Sequence, residues 1–267
     1  MTAEPIRVSP SWLDLRERAD AAARSRDLVG ALLARVPAGG PLVIHDLACG
    51  SGAMGRWLAP LLARPQHWVL HDRDADLLAL AARHVPAGAA VETRLSDVTQ
   101  LGQDDLAGAT LITASALLDL LTGDELSALA HSCAGAGCPA LLTLSVSGRV
   151  QLSPPDQLDA RVAAAFDAHQ RRLTPRGRLL GPDAVDAAVD EFRRLGAEVL
   201  VRPSPWRLGA AERRLAEEWL TGWVDAACEQ EPELAAEAEL YRRRRLGEAR
   251  AGKLGVTVDH ADLLVLP

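Results

Sequence analysis

Up to Val146 the apolar positions of this chain alternate between two rhythms. Short apolar runs of strand length stand at 41–48, 67–72, 90–97, 109–114 and 139–146. Between them lie stretches with helical spacing, at 53–63, 75–85 and 122–135. Pro60 is expected to end or kink the first of these. Thr122 and Glu125 form a T-x-x-E capping box ahead of Leu126 and Leu129. The first 36 residues read as helical, with Ser11 as N-cap and "PAGG" at 37–40 as the break. Strands alternating with helices at this spacing predict an α/β fold on a mainly parallel sheet.

Beyond Val146 the rhythm changes. "SGRVQLSPPDQ" reads as a loop. An amphipathic helix over 158–173 puts Leu158, Val162, Phe166, His169 and Leu173 near one face. "TPRGRLLGP" breaks it, a helix follows over 183–196, and "AEVLVRP" is a strand. Leu215, Trp219 and Trp223 then mark one stripe of a further helix. A more polar helix follows over 231–250, and 255–267 is a final strand pair or one long strand. The expected organisation is a helical cap over 1–36 and one domain over 37–267. Lid segments are expected near 150–180 and 210–250.

Composition narrows the partners more than the fold. The chain has 267 residues and a net charge of −7, which argues against nucleic acid, since phosphate binding needs a basic face. Lys253 is the single lysine, so arginine richness alone marks no phosphate site. Cys49, Cys133, Cys138 and Cys228 are scattered, form no C-x-x-C and stand at no metal-ligand spacing, so no metal site is expected. The cysteine usage fits a reducing cytoplasm, the expected location. No signal-type segment and no membrane-spanning apolar run is legible.

The stretch "HDLACGSGAMG" at 45–55 carries the candidate chemistry. Gly50, Gly52 and Gly55 spell G-x-G-x-x-G, and Asp72 ends the second strand about ~20 residues on, as a dinucleotide fold requires. That pattern alone does not choose between cofactors. Asp46 does more, because a carboxylate at the end of a buried strand needs a partner, and a ligand amino group would supply one. The run Asp46-Leu47-Ala48-Cys49-Gly50-Ser51-Gly52 resembles the first motif of the class I S-adenosylmethionine-dependent methyltransferases. Ala48 stands where that family usually has glycine, a mild change provided the backbone keeps a negative φ. "VLHDRDADLL", "VETRLSDV" and "LITASALLDLL" resemble the later motifs, over roughly residues 42–146.

The resemblance implies a Rossmann-like sheet ending in an antiparallel strand, with S-adenosylmethionine as cofactor and S-adenosylhomocysteine as product. It places Asp46 at the cofactor's amino group, with Ala48, Gly50, Ser51 and Gly52 around the amino-acid moiety. Asp72 would take the ribose hydroxyls with Arg73 beside the adenine. Asp97 and Val98 would contact the adenine ring. Ser115 would line the transfer site.

In-line methyl transfer to a small-molecule acceptor is the expected reaction. No Asn-Pro-Pro-Tyr type motif follows the fourth strand, which argues against methylation of a base amino group or a glutamine amide. Asp119 and His169 are the catalytic candidates. Leu118, Asp119, His169, Gln170 and Trp206 are the candidates for contacting the acceptor. The bland alternatives are a core histidine at 169, a capping carboxylate at 119 and a core stripe of tryptophans. Arg16, Asp20 and Arg24 share a helix face, as an ion-pair ladder or with one arginine closing over the cofactor carboxylate. An NAD(P)-dependent oxidoreductase and a non-catalytic binding relative are the alternative functions. Whether the chain is a homodimer is not legible.

Overall fold

The computed structural model describes residues 8–36, 39–85 and 88–267. The start of the expected cap and half of the "PAGG" break lie outside them. Ten strands and nine α-helices are formed among the described residues. The strands are β1 (Leu42–Leu47), β2 (Gln66–Asp72), β3 (Ala90–Leu95), β4 (Leu111–Ser115), β5 (Ala140–Ser153), β6 (Leu173–Thr174), β7 (Gly177–Arg178), β8 (Glu198–Pro203), β9 (Trp206–Leu208) and β10 (Gly255–Leu266). The helices are α1 (Pro10–Ala23), α2 (Arg26–Leu33), α3 (Ala53–Leu58), α4 (Ala75–Arg83), α5 (Gly123–Ala136), α6 (Asp159–Gln170), α7 (Ala184–Arg194), α8 (Arg213–Gln230) and α9 (Ala235–Arg250).

The main sheet runs β3-β2-β1-β4-β5-β10-β8, with β9 pairing the outer part of β10. β1 to β5 are parallel, and β10 is antiparallel to both β5 and β8. Apolar side chains on the two faces explain the layers. One face packs Leu126, Leu129 and Cys133 of α5 and Phe192 of α7 over β4 and β5. The other packs Leu28 and Leu32 of α2, Met54 and Leu58 of α3 and Leu78 of α4 around Trp68. Gly55 of α3 lies over the Trp68 ring of β2, where a Cβ would make an ordinary contact at 3.7 Å.

The expected capping box forms: Thr122 Oγ1 accepts the Glu125 amide, and the Glu125 carboxylate accepts the Thr122 amide at 2.9 Å. Pro60 ends α3, and the chain continues as a 3-10 turn over Ala59–Leu61.

Three expectations are corrected. Ser9 rather than Ser11 caps α1, its Oγ accepting the Trp12 amide at 3.1 Å. The N-terminal helix breaks at Arg24, where ψ reaches 136°, and Ser25 then caps α2 while its amide donates to Asp262 Oδ2 at 2.7 Å. The stretch read as a loop after Val146 is the second half of β5. Val146, Gly148, Val150 and Leu152 alternate with exposed Ser147, Arg149, Gln151 and Ser153, a period-2 pattern on a strand half buried against β10. With β9 this ribbon carries a separate apolar core formed by α1, α6, α8 and α9, in which Val162, Leu220, Trp223 and Tyr241 are buried. Among the described residues no helix is long and apolar enough to cross a membrane, and no group of three His, Cys, Asp or Glu could hold a metal ion.

Candidate active site at the strand ends

A cavity of about 610 Å³ lies where β1, β2, β4 and β5 end, between the sheet and the upper helical core. That size is in the range of small-molecule sites. Its lower half is lined by Ala48, Gly50, Asp72, Asp97, Val98 and Ser115. Its upper half is lined by side chains of α1, α6, α8, β9 and β10 and by Asp119 after β4.

The lower half is built by the glycine loop. Gly50 has φ 54° and donates its amide to Asp72 Oδ2 at 2.8 Å, which joins the loop to the end of β2. A Cβ at Gly50 would lie 3.3 Å from Leu13 Cδ1 of α1. Gly52 has φ 84°, N-caps α3 and meets the Ala81 Cα at a Cβ distance of 3.2 Å. Gly52 and Ser51 therefore face α4 and Arg56 rather than the cavity. Ala48 overturns the condition set for it: its φ is +50°, a left-handed backbone that an alanine side chain disfavours by about 1–2 kcal/mol. Ala116 and Leu144 share this conformation (φ 53° and 57°), and all three line the cavity. Strain of this kind persists where the surroundings over-determine it.

Asp46 is buried on the face of β1 that looks toward α1 and α2. Its Oδ1 accepts the Thr113 hydroxyl at 2.7 Å, and its Oδ2 has no hydrogen-bond partner among the described residues. Burial pushes its carboxyl up to about 7, against the pull of that hydrogen bond and of Arg24. Arg24 arrives from the break after α1. Its Nη2 donates to Ser115 Oγ at 3.0 Å and its Nε to Thr143 Oγ1 at 3.4 Å, while Nη1 is buried without a partner. The Trp57 ring lies 5.4 Å from its guanidinium carbon. Neither Asp46 nor Arg24 lines the cavity: behind the cavity-lining Ser115 they leave a buried carboxyl and a buried guanidinium, each with one unsatisfied atom.

Asp72, Arg73, Asp97 and Val98 all line the cavity. Asp72 is buried, accepts the Gly50 amide on one oxygen and the Asp74 amide at 2.9 Å on the other, and lines the cavity with Arg73. Asp97 lines it at the end of β3, where Oδ1 accepts the Thr99 amide and hydroxyl at 3.0 and 2.8 Å. Val98 is beside it.

The upper half departs further from expectation. Asp119 lines the cavity, and its Oδ1 is buried without a partner. Burial pushes it up to about 6. Trp206 lines the cavity and donates Nε1 to Asp20 Oδ1 at 2.9 Å. Leu118 is buried in the core beneath α5 and α7 and does not reach the cavity. His169 is also elsewhere: its Nε2 is 3.3 Å from Glu229 Oε2 of α8, and burial lowers its pKa. Gln170 lies under Gly181 and does not line the cavity either. The helix face carrying His169 turns toward α8 because α6 packs against α8 in the upper core.

Sequence reading passed over His260. It lines the cavity, its Nδ1 is 3.0 Å from the Val258 carbonyl, and burial lowers its pKa to about 3. It sits on the same face of β10 as Val258, by ordinary alternation, and nothing in that pattern says which face meets the cavity. The Arg16–Asp20 pair of the ladder forms at 2.9 Å, and only Arg24 leaves it for the strand ends. The four arginines 242–245 are all held by carboxylates, Arg245 buried on Asp159 and Glu248.

No family model and no curated protein matches the chain in sequence. Among solved structures, the cyclopropane synthase MmaA2 from Mycobacterium tuberculosis superposes with a TM-score of 0.52 at 14% identity, over 97% of this chain and 95% of that one. The mycolic acid cyclopropane synthase CmaA1 in its apo form gives 0.51 at 12% identity, over 97% and 100%. The fold is that of class I S-adenosylmethionine-dependent methyltransferases. The antiparallel β10 between β5 and β8 fits this fold, whereas a doubly wound dinucleotide-binding sheet continues with parallel strands.

Proposed function

We propose that this methyltransferase-fold protein binds S-adenosylmethionine in the lower half of the cavity and methylates a small molecule held in the upper half. The observation that carries the reading is the pair of unsatisfied buried charges, Asp46 Oδ2 and Arg24 Nη1. A zwitterionic amino-acid moiety complements both, its ammonium on Asp46 and its carboxylate on Arg24. NAD has no such moiety, so the oxidoreductase alternative leaves both atoms unexplained. Asp72, with both oxygens fixed by backbone amides, is oriented to accept ribose hydroxyls. Asp97 and Val98, which line the same cavity, would take the adenine.

When bound, the cofactor supplies an electrophilic methyl group on a sulfonium that is already a good leaving group. The protein's share is therefore positioning and exclusion of water. Ser115, held by Arg24 and Thr143, fixes the cavity floor between the two halves. Asp119 stands four residues further on, at the acceptor side.

The amino-acid placement is tested by thermal shift with two ligands. S-adenosylhomocysteine should raise the melting temperature far more than 5′-methylthioadenosine, which keeps the adenosine and lacks the amino acid. Equal shifts would overturn the reading.

A further inference from the structure

The upper half of the cavity has a composition unlike the rest of the chain. Only 3% of residues are aromatic, yet four of the nine Trp, Phe and Tyr residues line this one cavity: Trp12, Phe166, Trp206 and Trp219. They come from four separate elements, α1, α6, β9 and α8. Trp12 and Trp206 stand 6.4 Å apart at 58°, and Trp206 stands 5.3 Å from His260. Val146, Val150 and Val258 fill spaces around them. Such walls favour a flat apolar ligand.

The polar groups of this half are mostly committed. Trp206 Nε1 and Arg16 Nε both donate to Asp20, and the Arg16 guanidinium lies 4.9 Å from the Trp206 ring centre. Arg176, at the rim, is bound to Glu125 at 2.6 Å. Two acceptors are left over. Asp119 Oδ1 has no donor. His260 donates Nδ1 to a carbonyl, so its Nε2 carries a lone pair. A ligand that donates hydrogen bonds satisfies both acceptors. The charge acting on both Asp119 and His260 is that of Arg16, a cation. It opposes a second cation and supports an oxygen that becomes anionic.

We propose, resting on the methyltransferase reading above, that the acceptor is an aromatic alcohol that packs on these aromatic walls and donates its hydroxyl to Asp119. The hydroxyl proton passes to Asp119 as the methyl group is transferred. One O–H bond and one S–CH3 bond break; one O–CH3 bond and one carboxylic O–H bond form; the S–CH3 electron pair stays on sulfur. His260 remains neutral and accepts a hydrogen bond only. Asp119 lies near neutrality, as a general base requires. The charged and titratable groups lining the same cavity are Arg16 of α1, His260 of β10, Arg176 of the β6–β7 hairpin, Asp72, Arg73 and Asp74 at the end of β2, and Asp97 after β3, and of these Arg16 is the charge that acts on Asp119.

The test uses the full chain saturated with S-adenosylhomocysteine and three probes, 2-naphthol, 2-(aminomethyl)naphthalene and 1-decanol. Calorimetry should show 2-naphthol binding at least about tenfold tighter than the ammonium or the alkyl alcohol. With labelled S-adenosylmethionine, Asp119→Asn should lower transfer to 2-naphthol by about a hundredfold or more while S-adenosylhomocysteine affinity stays unchanged. The rise of kcat/KM with pH through about 6 should vanish in that variant. Trp206→Phe, a milder change, should weaken 2-naphthol alone. Preferred binding of the ammonium or of decanol overturns the acceptor class, as does full transfer by Asp119→Asn. Failure to bind S-adenosylhomocysteine at all overturns the methyltransferase reading instead.

Discussion

Asp262 Oδ1 accepts the backbone amide of Leu144 at 2.8 Å and thereby holds a left-handed residue (φ 57°) at the point where β5 parts from β4. The same carboxylate accepts the Ser25 amide at 2.7 Å and the Ser204 hydroxyl at 2.6 Å. One buried side chain of β10 thus ties together the break between α1 and α2, the cavity wall and the turn after β8.

Removing that carboxylate leaves three buried donors unsatisfied, at about 1–3 kcal/mol each. Asp262→Ala should cost about 4 kcal/mol or more in urea unfolding, and Asp262→Asn less. A loss below about 1 kcal/mol for the alanine variant would contradict this role.

Ala48 carries strain that glycine lacks. Ala48→Gly removes about 1–2 kcal/mol of left-handed strain and costs about 0.5–1 kcal/mol of chain entropy. The variant should be as stable as the parent or more stable by up to about 1 kcal/mol, with S-adenosylhomocysteine affinity retained. A clear drop in unfolding midpoint would mean that the Ala48 methyl makes a contact worth more than its strain.

Asp46 links binding to pH. Its folded value of about 7 lies above the ordinary carboxyl value near ~3.9, so the native state holds an extra proton between them. The free protein should lose stability as pH rises from about 4 to about 7. An ammonium at Oδ2 favours the carboxylate, so binding of S-adenosylhomocysteine should release a proton and tighten between about pH 5.5 and 7.5. Calorimetry in two buffers of different ionisation enthalpy reads that proton. A flat affinity with no proton released would sink the assignment, as would an Asp46→Asn variant that binds as tightly as the parent.

His169 is assigned to the α6–α8 contact. His169→Ala should leave methyl transfer within about twofold and cost less than about 1 kcal/mol, since Glu229 is largely exposed. A hundredfold loss of kcat would return the imidazole to the reaction.

The parallel strands and the helices between them up to Val146 were legible because strand-length apolar runs, the capping box and the glycine turn are local signals; the antiparallel end followed from the family resemblance. Asp46, Asp72 and Asp97 were legible for the same reason: each sits at a strand end that the sequence marks. The upper half was not. The second half of β5 alternates at period 2, but Gly148 and the polar outward residues disguise it as a loop. His169 follows an apolar helical face correctly, but that face points at another helix, which only packing decides. Arg24 enters the site through a helix break, and His260 because its face of β10 turns to the cavity, neither of which a linear pattern records.

Isothermal titration of the purified chain with S-adenosylhomocysteine and, in parallel, with NADH separates the two cofactors. The account predicts one S-adenosylhomocysteine bound per chain at micromolar affinity, about −8 kcal/mol, no heat with NADH, and at least about a tenfold loss in Asp72→Ala, one charge-assisted hydrogen bond or more. NADH binding without S-adenosylhomocysteine, or an Asp72→Ala variant that binds like the parent, would contradict it.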